Sequence, residues 1–145
     1  MSGYAHVLAA VDFSAAAQAV ARRALELSRL YNARLSLIHV VEFVPLDLSN
    51  EMVVPQGPEI DQELLQLAER RLSELAADLG VGDNFCQVRH GNTRREILRA
   101  AEQEAVDLIV IGSHGREGIQ LLLGSTANAV LHGAPCDVLA VRVTD

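Results

Sequence analysis

Four glycines follow the most apolar run of the chain, in IGSHGREGIQLLLGSTA from Ile111 to Ala127. Gly112, Gly115, Gly118 and Gly124 permit positive φ and close backbone approach, so successive N–H groups can turn toward one anion. Ser125 and Thr126 then open a helix whose first N–H groups and dipole attract phosphate. Arg116 can add a charge-assisted hydrogen bond. No lysine takes part, because all 12 basic residues of the chain are arginine. Taken alone, glycines after a central strand also serve a tight turn. The full set of apolar strand, GxxG, eight-residue spacer and Gly-Ser-Thr at a helix start points to an anion site.

Other chemistries fit the residues less well. The loop is neither the GxGxxG of a dinucleotide fingerprint nor the GxxxxGK[ST] of a P-loop, and GxSxG is missing too. Ser113 and His114 are chain neighbours, an arrangement that rarely gives nucleophile–base geometry. His6, His39, His90, His114 and His132 show no metal-ligand spacing. His39 sits in a strand and reads as a hydrogen-bonded structural histidine rather than a base. Asp12, at the end of the first strand, either approaches a ligand or its Mg²⁺, or shapes the turn into the first helix.

These residues need a scaffold, and the pattern supplies one. His6 to Val11 (HVLAAV) is a short strand, closed by Asp12-Phe13-Ser14 with Ser14 as helix N-cap. Val20, Ala24, Leu27 and Tyr31 lie on one stripe of the helix that follows. Arg34 to Val41 is a second strand. Ile60, Leu64, Leu67, Arg71 or Leu72, Leu75 and Leu79 mark a long amphipathic helix, with Pro58 near its start and Gly80 past its end. Phe85 to Arg89 is a weaker third strand. Thr93 to Glu96 has capping-box spacing and opens a helix through about Glu104. VDLIVIG then reads as a strand buried on both faces. A helix starts near Ser125, and Asp137 to Val143 closes the chain. Strict alternation predicts an α/β fold with an open five-stranded parallel sheet and helices on both faces. In such sheets ligands sit beyond the carboxyl ends of the strands, where strand order reverses. Glu42 to Gly57 breaks the regularity with two prolines; it reads either as an adaptable lid or partner-binding loop, or as a plain surface loop.

Length and composition bound the rest. The 145 residues fit one domain, 1–145, with a core built from Ala, Val, Leu and Ile because aromatics make up only 3% of the chain. A net charge of −7 disfavours a nucleic-acid binder, and the pairs Arg22–Arg23, Arg70–Arg71 and Arg94–Arg95 read as solvated helix faces. Cys86 and Cys136 lie outside any CxxC and read as small buried hydrophobes in a reducing compartment. Neither a signal peptide nor a membrane-length apolar run is visible, so the expectation is a soluble, cytoplasmic protein with no membrane contact.

VLAAVDFS, LSLIHV, GSHGREG…LLLGSTANAVL and APCDVLAVR, in that order along the chain, resemble the universal stress protein family. The resemblance implies a Rossmann-like sheet of order 3-2-1-4-5 and a homodimer through the last strand, Val138–Val143. It also implies ATP bound through G-x2-G-x9-G-[ST]. Carried over, that motif falls on Gly112, Gly115 and Gly124-Ser125, with Thr126 as a further backbone phosphate contact. Adenine and ribose then lie near Ala10, Val11, Asp12, Val40 and Ile111. The spacer Arg116 to Leu123 is one residue short of the family's nine, a difference the compliant Gly118 half can absorb. The apolar terminal strand argues for a second copy independently, since an exposed apolar edge invites aggregation. The leading expectation is an ATP-binding, homodimeric stress-response module whose conformation or choice of protein partner depends on bound ATP. The alternatives are a slow ATPase or self-phosphorylating enzyme using Ser113, Ser125 or Thr126, and a dimeric interaction protein that binds no nucleotide.

Overall fold

The computed structural model describes residues 3–42, 58–82, 85–113 and 124–142. Strands β1 (His6–Ala10), β2 (Arg34–Val41), β3 (Cys86–His90), β4 (Leu108–Gly112) and β5 (Asp137–Val141) alternate with helices α1 (Ala17–Tyr31), α2 (Pro58–Asp78), α3 (Thr93–Gln103) and α4 (Ser125–Gly133). All four strand pairings are parallel and the order is β3-β2-β1-β4-β5, as expected.

Two cores, one on each face, explain why the central strands read as continuous apolar runs. Val7 and Ala9 of β1, with Leu108 and Val110 of β4, pack with α1 and α2. Leu8 and Ala10, with Ile109 and Ile111, pack with α3 and α4. α1 meets the sheet through Ala17, Val20, Ala21 and Ala24, so a face of small side chains lets its backbone lie close. Among the described residues the fully buried members of both cores are aliphatic, with Tyr4 and Phe13 packed at the margin of one.

Several boundaries differ from the sequence reading, each for a local reason. Ser14 is not the cap of α1. Ala16 holds that position without a side-chain bond, while the Ser14 hydroxyl accepts from the Ala16 N–H and its carbonyl from the Ala17 N–H. The cap of α3 is Asn92 rather than Thr93; its side chain accepts from the Arg95 N–H at 2.9 Å. Glu96, freed from the capping box, sits between Arg89 and Arg99 at 3.7 and 3.3 Å. In α2 the buried face is Ala68, Leu72, Leu75 and Ala76, whereas Leu64 and Leu67 are about two-fifths exposed. Tyr31 also leaves the expected stripe of α1 and packs edge-on against Tyr4. Cys86 and Cys136 are free thiols and half-buried rather than fully buried, and burial pushes the Cys136 thiol upward. The arginine pairs are exposed, as expected.

The amino ends of the strands are tied together. The Asp107 carboxylate accepts from the Ala5 and His6 N–H groups at 2.8 and 3.0 Å. The buried His6 imidazole bridges the Ser36 hydroxyl and the Glu104 carbonyl. Among the described residues no helix is long and apolar enough to cross a membrane. Most of the irregular segment 42–57, the spacer 116–123 and Val143 lie outside the described residues.

Candidate functional site

Strand order reverses between β1 and β4, which pair directly through Ala10 and Ile111. Beyond their carboxyl ends lies a cavity of about 190 Å³. β1 and the turn after it contribute Ala10, Val11 and Asp12; β2 contributes Val40; β4 contributes Ile111 and Gly112; Gly124, Ser125 and Thr126 close the α4 side. These are nine of the residues singled out from sequence, brought to one place. Gly115 and Arg116, with His114 and Gly118, lie outside the described residues.

Three helix amino ends point at this cavity, and they differ in how they are satisfied. At α3 both the N–H and the hydroxyl of Thr93 donate to Oε1 of Glu42, at 2.8 and 2.7 Å. Those two bonds hold the Glu42 carboxyl below its ordinary value. The chain thus places its own carboxylate where a helix dipole attracts an anion. At α1, Ser14 takes the first two amides. α4 is different. Its cap, Gly124, has no side chain to offer and gives its own N–H to the Ser113 carbonyl. The first internal bond runs from the Asn128 N–H to the Gly124 carbonyl, leaving the amides of Ser125, Thr126 and Ala127 without helical partners. Beside this end the Ser113 hydroxyl is buried with no hydrogen-bond partner among the described residues.

The opposite wall is the β1–α1 turn. Asp12 Oδ1 accepts from the Ser14 N–H at 3.0 Å, so Asp12 shapes the turn while also lining the cavity. Phe13 has φ 61°, a left-handed conformation that costs a bulky residue about 1–2 kcal/mol. Its ring stacks on the His39 imidazole, with centroids 4.0 Å apart, and the Arg71 guanidinium carbon stands 5.8 Å from its centre. His39 Nδ1 is 2.7 Å from the Val11 carbonyl, which only accepts, so that nitrogen carries the proton. The structural bond expected of His39 is present, and the ring lines the cavity as well.

The Universal stress protein family matches residues 3–142 of this chain. The chain belongs to that family. Universal stress protein A homolog 2 of Coxiella burnetii is 47% identical over 83% of this chain and 82% of its own length. Universal stress protein A homolog 1 of the same organism is 39% identical over 95% of this chain and 96% of its own. Among solved structures, a universal stress protein in complex with cAMP shares the fold with a TM-score of 0.65 and 24% identity, over 99% of this chain and 100% of that one.

As a universal stress protein the chain has a short spacer, yet the bond from the Gly124 N–H to the Ser113 carbonyl joins the two ends of the loop. The ten residues between Ser113 and Gly124 therefore return the chain to the end of β4. Sequence reasoning missed several walls of this cavity: His39 and Ile38 on β2, Thr93 and Ile97 on α3, and Ala16 on the approach to α1. Thr93 and His39 each carried a signal, being polar groups at a carboxyl-end strand or a helix start. Ile97 and Ile38 carried none beyond ordinary core periodicity.

Proposed function

We propose that this universal stress protein binds ATP in the β1/β4 cavity and works as a homodimeric stress-response module. The observation that carries the reading is the asymmetry of the helix ends: α3 is filled by Glu42, whereas the first-turn amides of α4 face the cavity uncapped. Backbone donors at a helix start suit phosphate and need no lysine, which this chain lacks. Base and sugar would lie along Ala10, Val11, Asp12, Val40 and Ile111, with phosphates at Gly112, Gly124, Ser125 and Thr126. Gly115 and Arg116 would complete the phosphate side. A Mg²⁺ ion accompanying the ATP would supply charge neutralisation at the phosphates, while Asp12 would lie on the sugar side. A protein of the same fold solved in complex with cAMP supports a nucleotide as the ligand class.

Dimerisation would use β5, an edge strand whose Val138, Leu139 and Val141 are half-buried in a single chain. Native mass spectrometry of protein purified without added nucleotide, then with ATP, tests both parts. The expected result is a dimer with one ATP mass per chain and a matching calorimetric signal. A dimer that stays empty at millimolar ATP would sink the nucleotide reading and leave the interaction protein. A slow ATPase is the second reading, favoured by the Ser125 and Thr126 positions on the cavity wall. ADP release above a buffer control decides it.

A further inference from the structure

We infer that His39 and Phe13 are the positioning pair of this site, holding the β1–α1 turn so that Asp12 faces the sugar hydroxyls of a ribonucleotide. The inference rests on the nucleotide reading above and assigns it a source of sugar specificity. Phe13 occupies the left-handed region, where a bulky residue stays only if its surroundings fix it. The surroundings that do so come mainly from one side chain. His39 donates Nδ1–H to the Val11 carbonyl at 2.7 Å, immediately before Asp12. The same ring stacks on Phe13 at 4.0 Å with an interplanar angle of 28°, immediately after Asp12. Asp12 is thus gripped on both sides by a single imidazole carried on β2, a neighbouring strand of the sheet. Arg71 of α2 adds a cation 5.8 Å from the Phe13 ring centre.

Val11, Asp12 and His39 line the cavity, so the grip acts directly on its wall. Asp12 uses Oδ1 to accept from the Ser14 N–H at 3.0 Å, which fixes the plane of the carboxylate. Its other oxygen remains an acceptor, and a ribose diol offers two hydroxyl donors where a 2′-deoxy sugar offers one. A site built to hydrogen-bond a hydroxyl discriminates strongly against the analogue that lacks it. That discrimination depends on geometry, because a carboxylate free to swing would settle for the remaining hydroxyl or for water.

The test separates the two grips. His39→Phe keeps a ring beside Phe13 and removes the donor. His39→Asn keeps a donor near the Nδ1 position and removes the ring. Phe13→Gly removes the other ring and leaves a residue at ease with positive φ. Two readouts are taken on each full-length protein: hydrogen exchange of the Ser14 amide without ligand, and the Kd values of ATP and 2′-deoxy-ATP by calorimetry. Exchange at Ser14 is expected to speed up by roughly tenfold in His39→Phe and in Phe13→Gly, the scale of one lost hydrogen bond or ring contact. The preference for ATP over 2′-deoxy-ATP is expected to fall by a similar factor, with melting temperatures far less affected. Unchanged Ser14 exchange would overturn the pair as a clamp. Faster exchange with an unchanged preference would overturn its positioning role. A wild-type protein that binds neither nucleotide would overturn the functional reading and the positioning role together. In that case the exchange data still report whether the pair holds the turn.

Discussion

Ser113 and Glu42 show how single polar groups are set for or against a ligand. The Ser113 hydroxyl is buried without a partner among the described residues, a state that costs free energy until something meets it. Ser113→Ala removes the oxygen and keeps the shape, so the ligand-free protein is expected to unfold at the same temperature or slightly higher, by up to about 1 kcal/mol of stability. A scanning-calorimetry loss larger than that would mean the hydroxyl already has a partner. Glu42 runs the opposite way. Two bonds from Thr93 lower its pKa in the folded state, so folding favours the ionised carboxylate. The resulting stability is present at neutral pH and is lost as pH falls through the lowered folded-state value. The gap in urea midpoint between wild type and Glu42→Gln is expected to hold steady at neutral pH and to close only as acid protonates the carboxylate, below the ordinary glutamate range. A gap independent of pH would show that the Thr93 contacts do not depend on the charge.

At the scale of elements, α4 invites a substitution that pulls fold and ligand apart. Ser125→Asp puts a carboxylate at the first residue of a helix whose cap offers no side chain, where a negative charge stabilises by about 0.3–1 kcal/mol. The same charge would occupy the place proposed for phosphate. A variant that melts higher and binds ATP at least tenfold more weakly is the expected outcome; undiminished affinity would move the phosphates elsewhere. The elements themselves were readable from sequence to different depths. β4 was plain because Leu108 to Ile111 are buried on both faces and carry no polar interruption. The caps were not, because Ser14, Asn92 and Thr93 are all competent cap residues. At α3 the decision between Asn92 and Thr93 came from a partner 51 residues from Thr93, Glu42, which claims Thr93 and leaves Asn92 to the helix. The outer face of α2 misled for a related reason: Leu64 and Leu67 keep helical spacing with Leu72 and Leu75 yet remain partly exposed.

For the whole molecule, the open sheet has β5 at one edge and β3 at the other. Leu139→Asp places a charge on the strand proposed to pair with a second copy, and light scattering is expected to report a chain of monomeric mass. Retention of the dimer would assign the contact to another face. The site was legible in sequence where it follows from the chain's local grammar, as for the glycines and Ser125-Thr126 at a helix start. His39, Thr93 and Ile97 became part of it only through strand order and helix packing, which bring β2, α3 and β1 to a common rim. That rim has a mechanical consequence. The two principal walls hang from β1 and β4, adjacent strands joined by backbone hydrogen bonds and backed by packed cores on both sides. Among the described residues such a frame has no hinge between its halves, so filling the cavity is expected to leave the spacing of β1 and β4 unaltered. If the proposed ligand binds there, a partner would tell the loaded form from the empty one by the chemistry exposed at the strand ends rather than by a shift of the two central strands.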